Sequence, residues 1–128
     1  MHTRDQLYID GKWVLPMGNE NIDVINPATE EIIGKIPVGS VEDIDKAASS
    51  ARIAFESWSK SSIESRIDIL NGLSNALKER GEEIAQTITA EVGTPIGYSR
   101  VAMVGTPRVV SRSYAKILEN FDWEEKVR

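Results

Sequence analysis

Between Ser40 and Phe121 the apolar residues recur three and four positions apart, and this spacing constrains the fold more than any other feature of the sequence. Ile44, Ala47, Ala48, Ala51, Ala54, Phe55 and Trp58 form one continuous face over about four helical turns. The alanines imply a partner surface at close range, and the aromatics at the end fill a wider gap. Ser40-Val-Glu-Asp43 opens this helix, with a serine N-cap and carboxylates where the helix dipole favours them. Ser61-Ser-Ile-Glu64 reads as a capping box for the next helix, whose stripe is Ile67, Leu70, Leu73 and Leu77, widened by Ile63, Ile69 and Ala76. Gly81 interrupts the pattern, and Ile84, Ala85, Ile88 and Val92 resume it. One helix with a local weakness and two separate helices both satisfy that reading. Gly93 suits a left-handed position, and Pro95 suits the start of another helix. A weaker pattern runs through Ile96, Arg100 and Met103. Gly105-Thr106-Pro107 breaks it, with Thr106 as N-cap and Pro107 at the first helical position, before a last stripe of Val110, Tyr114, Ile117, Leu118 and Phe121.

Such faces need a surface to cover, and the strands ahead of them are few. Residues 7–15, LYIDGKWVL, carry Asp10-Gly11, the pair that accepts positive φ at both central positions of a type I′ hairpin turn. Leu7, Ile9, Trp13 and Leu15 are expected on one face of it. A polar turn over 16–21 leads to a strand near 22–25, Asn26-Pro27-Ala28-Thr29 turns the chain, and 31–36 forms the next strand. One or two hairpins are marginal alone in water, so these strands must also lie on something. Residue physics supports a soluble α+β or partial α/β domain, with strands over 1–39 and helices over 40–92 and 95–121.

Composition removes several function classes. At 128 residues, with 41% hydrophobic and 27% charged side chains, the chain is one globular domain in size and character. A net charge of −5 with no basic patch argues against nucleic acid as a partner. No apolar run approaches the roughly 20 residues of a membrane helix, and MHTRDQLYIDG lacks the apolar core of a signal peptide. A soluble, cytoplasmic protein is the expectation. The absence of cysteine fits a reducing compartment without requiring one, and it excludes a thiolate nucleophile, a zinc–thiolate site and an iron–sulfur ligand within this sequence. The single histidine, His2, reads as a solvated residue of a frayed terminus, which leaves no basis for a Ser-His-Asp arrangement. There is no GxGxxG, P-loop or HExxH motif and no internal repeat.

The ordered set of segments resembles a known family. NPAT at 26–29, the following EIIGKIPVGS and VEDIDKAASSARIAFESW, Arg66 with Leu70, Ala76 and Leu77, and Glu91-Val-Gly-Thr-Pro95 are similar to the N-terminal segment of aldehyde dehydrogenases. LYIDGKW at 7–13 is similar to that family's opening hairpin, and NFDWEEKVR to the stretch before its intersubunit strands. The resemblance implies an α/β fold in which hairpin strands are followed by amphipathic helices flanking a doubly wound NAD(P)-binding domain. This chain would then be the N-terminal part of that cofactor-binding domain. The family's nucleophilic cysteine, general-base glutamate, asparagine and nucleotide-binding turn have no counterpart here, so neither catalytic nor cofactor-binding residues are assigned. The implied whole enzyme oxidises aldehydes to carboxylic acids with NAD or NADP and works as a homodimer or homotetramer. A truncated gene product, a proteolytic fragment and a partial view of a complete enzyme all fit.

The resemblance also implies one site, for a structural K+ or Na+ held by the backbone carbonyls of Val24 and Ile25 and the side chain of Glu91. Hard cations take oxygen donors, and carbonyls need no particular side chain. The plainer alternative leaves Glu91 solvated at a helix C-terminus, the unfavourable end of the dipole for a carboxylate. Three departures stand out: Glu30 where the family has glycine, which implies a turn without a left-handed residue; Thr94 in place of lysine; and the Gly105-Thr106-Pro107 break. The rival readings are a stand-alone helical protein-interaction domain and a nonfunctional remnant.

Overall fold

The computed structural model describes residues 2–123. It forms two compact units: the chain up to Lys60 with Ala90–Gly93, and Ser61–Thr89 with the chain from Thr94 onward.

The first unit carries strands β1 His2–Thr3, β2 Leu7–Ile9, β3 Lys12–Val14, β4 Asn21–Ile25 and β5 Ile32–Pro37. Asp10 and Gly11, at φ 54° and 71°, make the left-handed turn between β2 and β3. That two-residue loop sets Ile9 opposite Lys12 and Leu7 opposite Val14. Residues of opposite parity therefore share a face, and Trp13 lies with Tyr8, their rings 5.1 Å apart. The expected grouping of Trp13 with Leu7 and Ile9 is corrected by this register.

The second sheet runs β1-β5-β4, with β1 parallel to β5 and β4 antiparallel to it. His2 pairs with Gly34 and Thr3 with Lys35, and the Arg4 amide donates to the Lys35 carbonyl at 3.0 Å. The N-terminus is thus a strand rather than the frayed tail expected, because the outer edge of β5 offers it unpaired backbone groups.

Helix α1, Val41–Trp58, begins at the serine N-cap read from the sequence, with Ser40 Oγ accepting from the Asp43 amide at 3.2 Å. Asp43 does more than cap. Its carboxylate is almost fully buried and accepts from the Ser40 amide at 3.0 Å and the Met17 amide at 3.1 Å, tying the 16–20 loop to the helix start. These bonds, the Ser40 amide first, hold its carboxyl below the usual range against the opposing effect of burial. The apolar face of α1 is open, with Ile44 64%, Phe55 65% and Trp58 44% exposed. The covered face expected for this helix is not covered within this chain.

In the second unit, α2 Ile63–Glu79 and α3 Gly81–Val92 are separate helices. Arg80 leaves helical geometry at φ −96° and ψ 10°, and its carbonyl accepts the Ile84 amide at 3.0 Å. The cap of α2 is Ser62, accepting from the Ser65 amide, one residue later than the box expected at Ser61. A short α4, Ile96–Tyr98, runs into a π-helical turn, Ser99–Val104, and on into α5, Gly105–Leu118. Gly105-Thr106-Pro107 therefore does not break the helix, and Thr106 is not its N-cap. Pro107 sits in the first turn of α5, where a missing N–H is tolerated, just after the π turn has widened the ladder.

Helices α2 and α5 pack together with small side chains buried: Ser74, Ser111 and Ala115 at 5%, 8% and 3% exposure. Ser74 Oγ donates to the Arg108 carbonyl at 3.2 Å, so the two backbones approach closely. The apolar stripes read from the sequence lie half open, with Leu73 48%, Tyr114 56% and Ile117 51% exposed. Ser99, fully buried, shares a 2.9 Å hydrogen bond with Thr89. Among the described residues no helix is long and apolar enough to cross a membrane.

Candidate functional site

Strand β4 loses its regular register between Val24 and Ile25, immediately before the NPAT turn. Asn26 organises that turn. Its side-chain oxygen accepts the Ala28 amide at 2.9 Å, its carbonyl accepts the Glu30 amide at 2.8 Å, and its own amide donates to the Glu31 carbonyl at 2.9 Å. The ring these bonds close requires Glu30 at φ 61°. A left-handed residue is present after all, and the expectation drawn from the missing glycine is corrected: the hydrogen bonds hold a glutamate in glycine's conformation.

The other side of the site comes from the end of α3. Gly93 lies at φ +76°, as its position after the helix led us to expect. A Cβ built there would stand 2.8 Å from Pro27 Cγ, so glycine is required both by conformation and by approach. The end of α3 is thereby seated on the NPAT turn. Glu91 lies two residues before Gly93, and Ile25 two residues before Pro27. The segments carrying Val24, Ile25 and Glu91 thus meet in the first unit. Glu91 is exposed, and the last turn of α3 carries no basic residue. Two carbonyls and a carboxylate suit a hard monovalent ion in donor type. Among the described residues no three His, Cys, Asp or Glu side chains cluster, so any ion here would rely on backbone oxygens.

Sequence reasoning missed the Asp43 latch, whose signal was an aspartate at the third helical position behind a serine cap. It also missed a pairing in the second unit. Arg100 in the π turn donates through Nε and Nη2 to both oxygens of Glu82, at 2.8 and 2.7 Å. This fork, with Gln86 adding a third bond, pulls the Glu82 carboxyl down to about 2.

The chain matches the aldehyde dehydrogenase family over residues 13–127. It belongs to that family. A 3-succinoylsemialdehyde-pyridine dehydrogenase from a Pseudomonas species is 38% identical over 99% of this chain, which spans 27% of that relative's length. The crystal structure of an aldehyde dehydrogenase from Bartonella henselae superposes with a TM-score of 0.96 at 30% identity, over 100% of this chain and 27% of its own. An aldehyde dehydrogenase C mutant from Pseudomonas syringae, in complex with NAD+ and octanal, superposes at 0.94 with 34% identity, over 97% of this chain and 26% of its own. These strands and helices are the N-terminal part of the aldehyde dehydrogenase fold. Of the family-like NFDWEEKVR stretch, Glu124 onward lies outside the described residues.

Proposed function

We propose that this chain is the N-terminal portion of an NAD(P)-dependent oxidoreductase that converts aldehydes to carboxylic acids, and that it scaffolds the reaction. The observation that carries this reading is the direction of its side chains. Small residues are buried between α2 and α5, while Ile44, Phe55, Leu73, Tyr114 and Ile117 stand open, in a chain spanning 27% of its relatives. Helices with such faces are built to lie on further structure, the remaining part of a cofactor-binding α/β domain. NAD(P)+ bound to the complete enzyme would supply the hydride acceptor. The sequence contains no cysteine to attack the aldehyde, so the covalent step belongs elsewhere in the enzyme. The same reading makes the complete enzyme a cytoplasmic homodimer or homotetramer.

The test is complementation. The 128-residue chain is assayed alone with NAD+ or NADP+ and an aldehyde, then coexpressed with the Pseudomonas relative lacking its matching segment. The expected result is no cofactor reduction alone, and a soluble, active complex together. Activity from the chain alone, or failure to associate, would overturn the reading and favour a stand-alone interaction domain.

We propose further that Val24, Ile25 and Glu91 hold a structural K+ or Na+. The seating of Gly93 on Pro27 and the lack of a basic residue in the last turn of α3 support this. The midpoint of thermal unfolding, compared in potassium, sodium and choline chloride, should depend on the cation in the wild type and not in Glu91→Ala. Equal cation dependence in both proteins would reject the site.

A further inference from the structure

Lys78 from the last turn of α2, Arg100 from the π turn and Arg108 from α5 come together with Glu82 around one open cavity of about 230 Å³ in the second unit. No basic patch is visible in the sequence, because these residues lie far apart along it. Leu77 and Val104 supply the apolar wall.

The charges in the lining do not balance. Among the described residues Glu82 is its only carboxylate, and it is already committed to both donors of the Arg100 fork. Its carboxyl, held at about 2, stays ionised at neutral pH. Among the described residues that leaves Lys78 and Arg108 as two uncompensated cations in the lining, in a chain whose net charge is −5. Arg108 is half-buried, and its backbone is fixed by the hydrogen bond from Ser74. Arg100 and Val104, four residues apart in the π turn, both line the cavity. Such turns recur at functional sites.

We propose that this cavity binds a small, multiply charged oxyanion of the diphosphate or dicarboxylate class. A concave site with low-dielectric walls concentrates the potential of its cations. The volume exceeds what a monatomic ion fills, and a planar guanidinium fork matches the paired oxygens of a phosphate or carboxylate. The proposal rests on the side chains of the second unit alone and is independent of the activity proposed above.

The experiment titrates the full 15N-labelled chain with sodium diphosphate and, separately, with malonate at constant ionic strength. Saturable shifts are expected at the Gly81 and Gly105 amides, which border the cavity, and none at Gly11 or Gly18. Lys78→Ala, an exposed change, and Arg108→Ala should each weaken binding about tenfold. Glu82→Gln frees the Arg100 fork and should tighten binding severalfold, whereas Glu56→Gln, the same charge change on α1, should leave it unaltered. Stronger binding of diphosphate assigns the natural ligand to phosphate esters, and stronger binding of malonate assigns it to dicarboxylates. Shifts scattered along the chain, no shift with either anion, an unaffected Lys78→Ala, or equal tightening by Glu56→Gln would each overturn the proposal.

Discussion

In the first unit, order comes from turns and polar latches; in the second, it comes from small side chains buried between helices. Asp10, Gly11, Glu30 and Gly93 all take positive φ, and all belong to the first unit. There the Asp43 carboxylate ties a loop to a helix start, and Asn26 closes its own turn. The second unit has none of these positive-φ residues, and its buried set is Ser74, Ala85, Ser99, Val104, Ser111 and Ala115. What the two share is exposed large apolar side chains, Ile44 and Phe55 in the first and Tyr114 and Ile117 in the second. The contrast separates what this segment needs in order to hold its own shape from the apolar surface it leaves open.

The largest effect should come from filling the small-residue seam. Ala115→Leu adds a branched side chain at a position 3% exposed. Overpacking of this kind costs about 1–3 kcal/mol, and each kcal/mol lowers the melting temperature of a chain this size by roughly 4 °C. Phe55→Ser, at a position 65% exposed, should change stability by less than about 0.5 kcal/mol and improve solubility. Thermal melts followed by circular dichroism check both. A stable Ala115→Leu beside an unfolded Phe55→Ser would invert the comparison.

Next comes the seat of α3 on the NPAT turn. Gly93→Ala meets an unfavourable φ, about 1–2 kcal/mol, and a Cβ placed 2.8 Å from Pro27 Cγ. Hydrogen exchange should accelerate at the Glu30 and Asn26 amides and leave the α2 amides unchanged. Acceleration confined to α2 would mean that the contact has been misjudged.

Local chemistry made much of this legible in the sequence. Asp10-Gly11, the Ser40 cap and Gly93 each state a backbone conformation through their own residue type, and each is found where expected. The apolar period correctly gave the helices but not which face would be inward, since a wide stripe and a small-residue seam alternate with the same period on α2 and α5. Sequence alone could not separate a face buried against a neighbouring helix from one left open. The π turn was hidden because its ladder differs from an α-helix by a single residue of insertion. The pairing of His2 with Gly34 depends on a free strand edge, which no local residue announces. For the candidate cation site, the meeting of the two segments was implied by the resemblance, and the glycine that seats one on the other was readable, though only as a helix end.

Glu30 offers a smaller effect of opposite sign. Its φ of 61° is imposed by the bonds around Asn26, so the side chain contributes only strain. Glu30→Gly should stabilise the chain by about 0.5–1 kcal/mol, less the additional entropy lost by glycine on folding. A gain in melting temperature with unchanged exchange at the Ala28 amide would show that the turn is held by Asn26. A loss would show that the glutamate makes a contribution its backbone does not reveal.

The smallest effect is expected from the exposed fork of the second unit, and its sign follows from linkage. The Glu82 carboxyl sits at about 2 in the folded chain, against an ordinary value of 4.5, because Arg100 and Gln86 donate to its ionised form. A depressed carboxyl contributes stability that is fully present above the unfolded value and declines as pH falls through 4.5 toward 2. Wild type should therefore melt slightly above Glu82→Gln at pH 7, and the gap should close progressively once the pH drops below about 4.5. Both side chains are half exposed, so added salt should narrow the gap at pH 7 as well. A gap that stays constant from pH 7 to pH 3 would mean that Glu82 acts through its hydrogen-bonding shape rather than its charge. In that case the charge of the Glu82–Arg100 pair would add nothing to the difference between the units, which would lean more heavily on the packed seam of α2 and α5.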